Sequence, residues 1–153
     1  MSEQGPHEFD KSNLRQVILD APKQFAIGFD LGKDIKLDGD FERVVFYGEG
    51  GSAFPVSLVG TLLSDASQET DGDAVRICQN YTYSLKREAE KGALNIFCSY
   101  SGNTEETITT LTAAVEKGLP SVGISGGGKV EEICRENNIP FVKLPIPFEG
   151  FQP

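Results

Sequence analysis

The sequence predicts an α/β fold, a three-layer doubly wound sandwich built around a five-stranded parallel sheet. Five short runs are nearly continuous in apolar residues, which is typical of strands covered on both faces. Segments with helical periodicity lie between these runs, and strand–helix alternation of this kind gives a doubly wound sheet. The predicted strands are Val44–Gly48, Ala74–Gln79, Asn95–Tyr100, Ser121–Ser125 and Phe141–Leu144.

The length of 153 residues suits one domain. We expect residues 1–11 to be a flexible, polar N-terminal segment and residues 12–153 to form a single domain. Near the N-terminus, Pro22 suits the first turn of a helix that reaches about Lys33.

The clearest predicted helix is Thr104–Lys117. Asn103 can cap its start, Glu106 completes a capping-box pattern, and Gly118 and Pro120 end it. Its apolar stripe consists of Ile108, Leu111, Thr112 and Val115.

Two further helices are predicted at about Ser52–Leu63 and Lys129–Asn137. The first is unusual because no charged residue occurs from Gly50 to Ser64, and its apolar residues wrap more than one face. These residues are Phe54, Leu58, Val59, Leu62 and Leu63. A second subunit or the interior of one chain could cover them, and a homodimer is the favoured interpretation.

Composition excludes several classes of function. The net charge is −9 and no basic cluster occurs, so we expect no nucleic-acid partner. No apolar run approaches the roughly 20 residues of a membrane span, and no signal-peptide core is present, so we expect no membrane partner. The three cysteines, Cys78, Cys98 and Cys134, lack the spacing of a zinc site and read as reduced thiols of a cytoplasmic protein. We expect neither a metal nor a cofactor.

Three glycine-rich corners follow predicted strands, where open α/β sheets bind ligands. The first, Gly48–Ala53, fits the dinucleotide fingerprint G-x-G-x-x-A, but no acidic residue follows at the end of the next strand, and Pro55 interrupts the helix start. The last, Gly123–Lys129, fits G-x-x-x-x-G-K, but Val130 replaces the Ser or Thr of a P-loop. We interpret this last corner as a turn that lets helix and strand pack closely.

The middle corner, Ser99–Thr104, carries the functional prediction. It places the hydroxyls of Ser99, Ser101 and Thr104 at the start of a long helix, and Gly102 allows a close approach of the backbone. The free N–H groups and the macrodipole of a helix start favour an anion. Simple capping would need only one such residue. The corner therefore predicts a phosphate site that needs no lysine or arginine.

These residues resemble the phosphate loop S-x-S-G-x-T of the sugar isomerase (SIS) superfamily. The continuation Glu105–Thr107 is similar to that of bifunctional phosphoglucose/phosphomannose isomerases. Further segments match that family in order over nearly the whole chain: Ala21–Phe25, Gly48–Ser52, Gly123–Gly128, Ile139–Pro140 and Gly150–Pro153.

The resemblance implies isomerisation of an aldose 6-phosphate to its ketose through an enediol. The expected ligand is fructose 6-phosphate, glucose 6-phosphate or mannose 6-phosphate. Site residues implied by position are Gly50, Gly51, Ser52, Ser99, Tyr100, Ser101, Gly102, Asn103 and Thr104.

The resemblance also implies a second SIS domain that supplies the enediol base and a histidine, and we expect this chain to lack it. The sole histidine, His7, lies in the polar N-terminal segment. Glu49 is unexpected beside a phosphate turn. We predict an isomerase-family domain that is incompetent alone, with a non-catalytic sugar-phosphate-binding or dimerisation module as the alternative.

Overall fold

The computed structural model describes residues 9–11, 13–69, 75–90 and 92–145, with the backbone alone for residues 63–69. The chain divides into two compact units, residues 35–144 and a smaller unit made of residues 1–34 and 145–153. In the smaller unit, helix α1 spans Leu14–Gly32. A single domain over residues 12–153 therefore stays a prediction.

The larger unit alternates strands and helices. Its elements are β1 (Arg43–Tyr47), α2 (Phe54–Glu69), β2 (Arg76–Asn80), β3 (Ala93–Ser99), α3 (Glu105–Glu116), β4 (Ser121–Ser125), α4 (Gly128–Glu136) and β5 (Phe141–Lys143). One-turn 3₁₀ helices occur at Gly50–Ser52 and Arg87–Ala89.

The five strands form one parallel sheet in the order β2-β1-β3-β4-β5. From β1 the chain moves outward to β2, whereas from β3 it moves to β4 and β5 on the opposite side. Right-handed crossovers then place α2 on one face and α3 and α4 on the other. The predicted three-layer, doubly wound fold is confirmed.

The main core lies between the sheet and the α3–α4 layer. Tyr47 of β1 stacks on Phe97 of β3, with ring centroids 4.5 Å apart. Beneath them Asn95 is fully buried, and its amide donates to the carbonyls of Ala89 and Pro120 at 3.1 Å each. The buried cluster comprises Val45, Tyr47, Ala93, Phe97, Leu111, Ala114, Val130, Ile133 and Cys134.

The α2 layer is only partly covered. Val56 is buried, but four apolar residues are exposed, namely Phe54, Leu58, Val59 and Leu62. The sequence predicted that apolar residues of this helix wrap more than one face, and the structure agrees. In the single chain, these four side chains are exposed to solvent.

All five predicted strands agree with the structure to within two residues at the ends that it describes; the predicted start of β2, Ala74, lies outside the described residues. The position predicted for Pro22 is wrong. Helix α1 begins at Leu14 and holds Pro22 in its interior, because the Asp10 carboxylate accepts the N–H groups of Leu14 and Arg15 and so starts the helix earlier.

Two details of α3 also differ from the prediction. The N-cap residue is Thr104 rather than Asn103. Thr112 is exposed, whereas Thr107 and Thr110 are buried beside Leu111. Thr110 tolerates burial because its hydroxyl donates to the carbonyl of Glu106 at 2.7 Å, which hydropathy patterning does not register.

Candidate functional site

The candidate site lies where β1 and β3 end side by side. The strand order reverses between these two strands, since β1 leads to β2 on one side and β3 leads to β4 on the other. In open α/β sheets, the crevice outside the carboxyl ends of strands at such a reversal is where ligands bind. The first and second glycine-rich corners follow β1 and β3, so both border this crevice.

The first corner is held against the second by Ser52. The hydroxyl of Ser52 accepts the Tyr100 N–H at 3.4 Å and is hydrogen-bonded to the thiol of Cys98. Gly48 permits the approach, because a Cβ there would lie 3.1 Å from the carbonyl oxygen of Cys98. Gly50 and Gly51 are exposed, and a Cβ on either would meet nothing within 4 Å. Space for a ligand is therefore open beside these two glycines.

The second corner gathers three hydroxyls. Ser99 ends β3 and is buried, with its Oγ 2.8 Å from Thr104 Oγ1 and 3.5 Å from Ser101 Oγ. The loop amides of Gly102 and Asn103 donate to Ser99 Oγ at 3.1 Å and Ser101 Oγ at 3.2 Å. One of Ser99 and Thr104 donates to the other across the 2.8 Å contact, which leaves the proton of the accepting hydroxyl and that of Ser101 for a ligand that accepts hydrogen bonds.

These hydroxyls do not cap the helix. Thr104 is the N-cap residue of α3, yet its side chain makes no capping hydrogen bond. The amide of Asn103 is also engaged elsewhere, donating to Ser101 O at 3.2 Å and accepting from Lys129 N at 3.1 Å. The first N–H groups of α3 have no intrahelical acceptor, so an anion can receive them.

The third corner supports the second. Gly126 N donates to Tyr100 O and Val130 N donates to Gly102 O, both at 3.0 Å. The contact is so close that a Cβ on Gly102, which has φ +72°, would overlap the carbonyl of Gly127. This agrees with the interpretation of Gly123–Lys129 as a packing turn. Gly102 is thus needed for the fit between two loops as well as for its backbone conformation.

The lysines of the third corner and of β5 are engaged in ion pairs with glutamates. Lys129 Nζ pairs with Glu132 at 2.7 Å, and this carboxylate raises the lysine pKa. Lys143 pairs with Glu131, and Lys143 together with Arg135 lowers the pKa of that carboxyl. A phosphate at the second corner would depend on hydroxyls, backbone N–H groups and the helix dipole.

The loop that follows β2 adds a residue that sequence reasoning missed. Buried Asn80 shapes this loop, since its amide donates to Ser84 O at 2.8 Å and accepts from Thr82 N at 3.2 Å. Tyr83 on this loop is exposed, and its hydrogen bond to Glu106 in the first turn of α3 raises the tyrosine pKa. The strand order 2-1-3 would have shown that this loop reaches the site, but periodicity alone does not give the order.

Glu49 stands at the start of the first corner, and its charge also contributes to the raised pKa of Tyr83. The residue is half-buried, and its Oε1 is sealed from solvent with no hydrogen-bond partner among the described residues. Leaving a buried acceptor unpaired costs about 1–3 kcal/mol, more for a charged group. This carboxylate is therefore set to receive a donor.

The cysteines show no sign of reactivity. All three are free. Burial raises the pKa of the Cys98 and Cys134 thiols to about 11, against 9.0 for an ordinary cysteine. A thiol of such high pKa carries little thiolate at neutral pH, and thiolate is the reactive form.

The structure thus brings together the predicted residues of the first and second corners at one end of the sheet. Glu105 opens α3. Glu149, His7 and the segment 151–153 lie outside the described residues. In the described part of the chain, no group of three His, Cys, Asp or Glu side chains could hold a metal. None of the helices described has the length and apolar character that a membrane crossing needs.

Several curated proteins are similar in sequence. The bifunctional phosphoglucose/phosphomannose isomerase of Caldicellulosiruptor bescii is 30% identical over 139 residues, and that of Aquifex aeolicus is 31% identical over 125 residues. These alignments take in 89% and 81% of this chain, but the chain spans only 38% and 35% of the two relatives. D-glucosamine-6-phosphate 4-epimerase of Sulfolobus acidocaldarius is 28% identical over 80% of the chain and 36% of its own length. The sequence matches no protein-family model.

Solved structures share the fold. A Clostridium difficile protein, assigned provisionally as a phosphosugar isomerase, superposes with a TM-score of 0.56 at 17% identity over 78% of this chain and 35% of its own. Vibrio vulnificus NanR, solved in complex with ManNAc-6P, gives 0.54 at 17% identity over 88% and 50% of the two chains. The chain is therefore a homologue of the bifunctional phosphoglucose/phosphomannose isomerases and has the fold of the phosphosugar isomerase (SIS) domain.

Proposed function

We propose that this domain binds a hexose 6-phosphate in the crevice between the ends of β1 and β3, with the phosphate on Ser99, Ser101 and Thr104. The observation that carries the proposal is the convergence of three hydroxyls at a helix start that no side chain caps. The candidate ligands are fructose 6-phosphate, glucose 6-phosphate and mannose 6-phosphate. The relatives that isomerise phosphoglucose and phosphomannose support this choice.

The reaction that such binding would serve is the exchange of an aldose 6-phosphate with its ketose through an enediol. In that reaction a base moves a proton between C1 and C2, and a second group helps to open the ring. The second corner offers hydroxyls and backbone N–H groups, which hold a phosphate and do not act as bases at neutral pH. We therefore propose that residues 1–153 supply binding, and that these residues alone turn over little or no substrate.

The alternative is a sugar-phosphate-binding module with no catalytic task. NanR, which shares the fold, was solved with ManNAc-6P. The two proposals differ in one respect: joining the chain to the part of a relative that it does not span would create isomerase activity only under the first. The site and its phosphate loop are common to both.

A binding titration tests the phosphate loop. The variant Ser101→Ala/Thr104→Ala removes two hydrogen bonds to a charged group, each worth about 1.5–3 kcal/mol. We expect the affinity for fructose 6-phosphate to fall at least about tenfold. Thr112→Ala, on the exposed side of α3, is the matched control and should bind as the parent does. Equal affinity in the double variant and the control would remove this loop from the site.

An isomerisation assay tests the catalytic part. NMR spectra of glucose 6-phosphate with the purified chain should show interconversion at little more than the uncatalysed rate. Substantial turnover that Ser101→Ala abolishes would contradict the proposed division of labour. A base within this chain would then have to be found.

We also propose that the chain forms a homodimer through α2, because four apolar residues of that helix are exposed in the single chain. The cytoplasm remains the proposed location, since three free cysteines are typical of a reducing compartment.

A further inference from the structure

Asn103 lies within the second corner, yet both ends of its side-chain amide are bonded inside the protein. Its Nδ2 donates to the carbonyl of Ser101 at 3.2 Å, and its Oδ1 accepts the N–H of Lys129 at 3.1 Å. We propose that Asn103 is a positioning residue, an inference that rests on the proposed phosphate site. It holds Ser101 where the serine hydroxyl can donate to the phosphate, and it does not itself contact the phosphate.

Ser101 needs this support more than the other two hydroxyl residues do. Ser99 is buried, and its Oγ is held by the Gly102 N–H at 3.1 Å and by Thr104 Oγ1 at 2.8 Å. Ser101 is exposed, and its Oγ lies 3.5 Å from that of Ser99. The backbone N–H of Asn103 donates to Ser101 Oγ at 3.2 Å, while the Asn103 side chain holds the carbonyl of the same serine. The position of Ser101 therefore depends on Asn103.

Helix α4 is the anchor at the other end of the amide. The first N–H groups of a helix have no intrahelical acceptor, and the N-cap residue of α4 is Gly127, which has no side chain to offer. Asn103 Oδ1 accepts the N–H of Lys129 instead, and the carbonyl of Gly102 accepts that of Val130 at 3.0 Å. Asparagine is among the preferred capping residues. The second corner thus caps α4 from outside the helix and is tied to it.

The contact between these groups is close. A Cβ on Gly128, which has φ +68°, would lie 2.7 Å from both Ser101 O and Asn103 Oδ1. Without the Asn103 amide, the Ser101 peptide would lose its tie to α4 and gain conformational freedom. A bound phosphate would then have to remove that freedom at a cost in entropy, and its affinity would fall.

The first test compares two asparagines that each bond to a backbone carbonyl. Fructose 6-phosphate is titrated into the parent chain, Asn103→Ala and Asn137→Ala; Asn137 Nδ2 donates to Ile133 O at 2.8 Å near the end of α4. We expect the affinity to fall about fivefold to tenfold in Asn103→Ala, which is part of what a hydrogen bond from Ser101 to a charged group contributes. Asn137→Ala should bind as the parent does. Amide hydrogen exchange measured by NMR should be faster at Lys129 in Asn103→Ala alone, in a chain that is otherwise folded.

A double-mutant cycle separates positioning from direct contact. If Asn103 acts through Ser101, then Asn103→Ala should have little further effect on affinity in the Ser101→Ala background. If Asn103 contacted the phosphate itself, its loss would weaken binding by the same factor in both backgrounds.

Three results would overturn this inference alone. They are unchanged affinity in Asn103→Ala, an equal loss in the Asn137→Ala control, and additive losses in the cycle. A parent chain that does not bind fructose 6-phosphate would overturn the proposed function, and this inference with it.

Discussion

At the residue scale, the site depends on hydroxyls that serve the loop and a ligand together. Ser99 is buried at the end of β3, and its oxygen receives the Gly102 amide and contacts Thr104 Oγ1. These contacts hold the loop in its conformation and keep the three hydroxyl groups close together. These residues could be predicted because they are adjacent along the chain, and because capping of the helix would need only one of them.

The residues that sequence reasoning missed are those whose neighbours are distant in the chain. Tyr83 meets Glu106 only because the loop after β2 and the start of α3 reach the same end of the sheet. Similarly, the sequence marked Glu49 as unexpected but gave no account of its surroundings. Those surroundings come from strand order and loop packing, which local patterns do not encode.

Thr107 offers a test of packing at a single buried atom. It is almost completely buried in α3, and its hydroxyl has no hydrogen-bond partner among the described residues. Thr107→Val replaces this hydroxyl with a methyl group of similar size and should raise the free energy of unfolding by about 1 kcal/mol, because an unpaired polar group is removed from the core.

Urea unfolding measures this change. Thr110→Val is the matched control, since the Thr110 hydroxyl donates to Glu106 O and its loss should not stabilise the protein. A marked loss of stability in Thr107→Val would mean that its hydroxyl has a partner after all.

At the element scale, the strands were predictable and the helix starts were less so. Each strand is a short apolar run bounded by polar or glycine residues, and each was found within two residues at its described ends. The start of α1 was misplaced because a proline at the first turn is a common signal, whereas the Asp10 carboxylate that starts this helix acts from outside it. In α3, Thr110 could be buried because its hydroxyl donates to the carbonyl of Glu106.

The link between the second and third corners gives an element-scale prediction. Gly102→Ala places a Cβ on the carbonyl of Gly127 and forces alanine into a left-handed conformation. Overpacking of this kind costs about 1–3 kcal/mol, and the conformation adds about 1 kcal/mol. We therefore expect unfolding to become easier by about 2–4 kcal/mol.

Gly118→Ala separates these two effects. Gly118 has φ +62°, but a Cβ there meets nothing within 4 Å, so only the conformational cost of about 1 kcal/mol should appear. Thermal or urea unfolding of both variants provides the comparison. Equal losses in the two would show that the close packing of the corners does not contribute.

At the scale of the whole molecule, the fold separates a closed core from an open apolar layer. The α3–α4 side of the sheet is buried, whereas α2 exposes Phe54, Leu58, Val59 and Leu62. Monomeric proteins rarely leave a contiguous apolar patch of this kind in water. The sequence predicted the patch, since no charged residue occurs from Gly50 to Ser64, the stretch that holds these four residues.

This patch predicts self-association. Leu58→Glu places a charge at the centre of the exposed face of α2 and should convert a dimer to monomer in light scattering. Thr112→Glu adds the same charge to the exposed side of α3 and should leave the dimer intact. A parent chain that is monomeric at all concentrations would contradict the prediction.

We propose that a hexose phosphate binds at the reversal of strand order, with its phosphate on the second corner. The most direct measurement is a crystal structure of the chain with fructose 6-phosphate. We expect phosphate oxygens within hydrogen-bonding distance of the hydroxyls of Ser99, Ser101 and Thr104 and of the first N–H groups of α3. A phosphate bound at the third corner, or away from the carboxyl ends of β1 and β3, would contradict it.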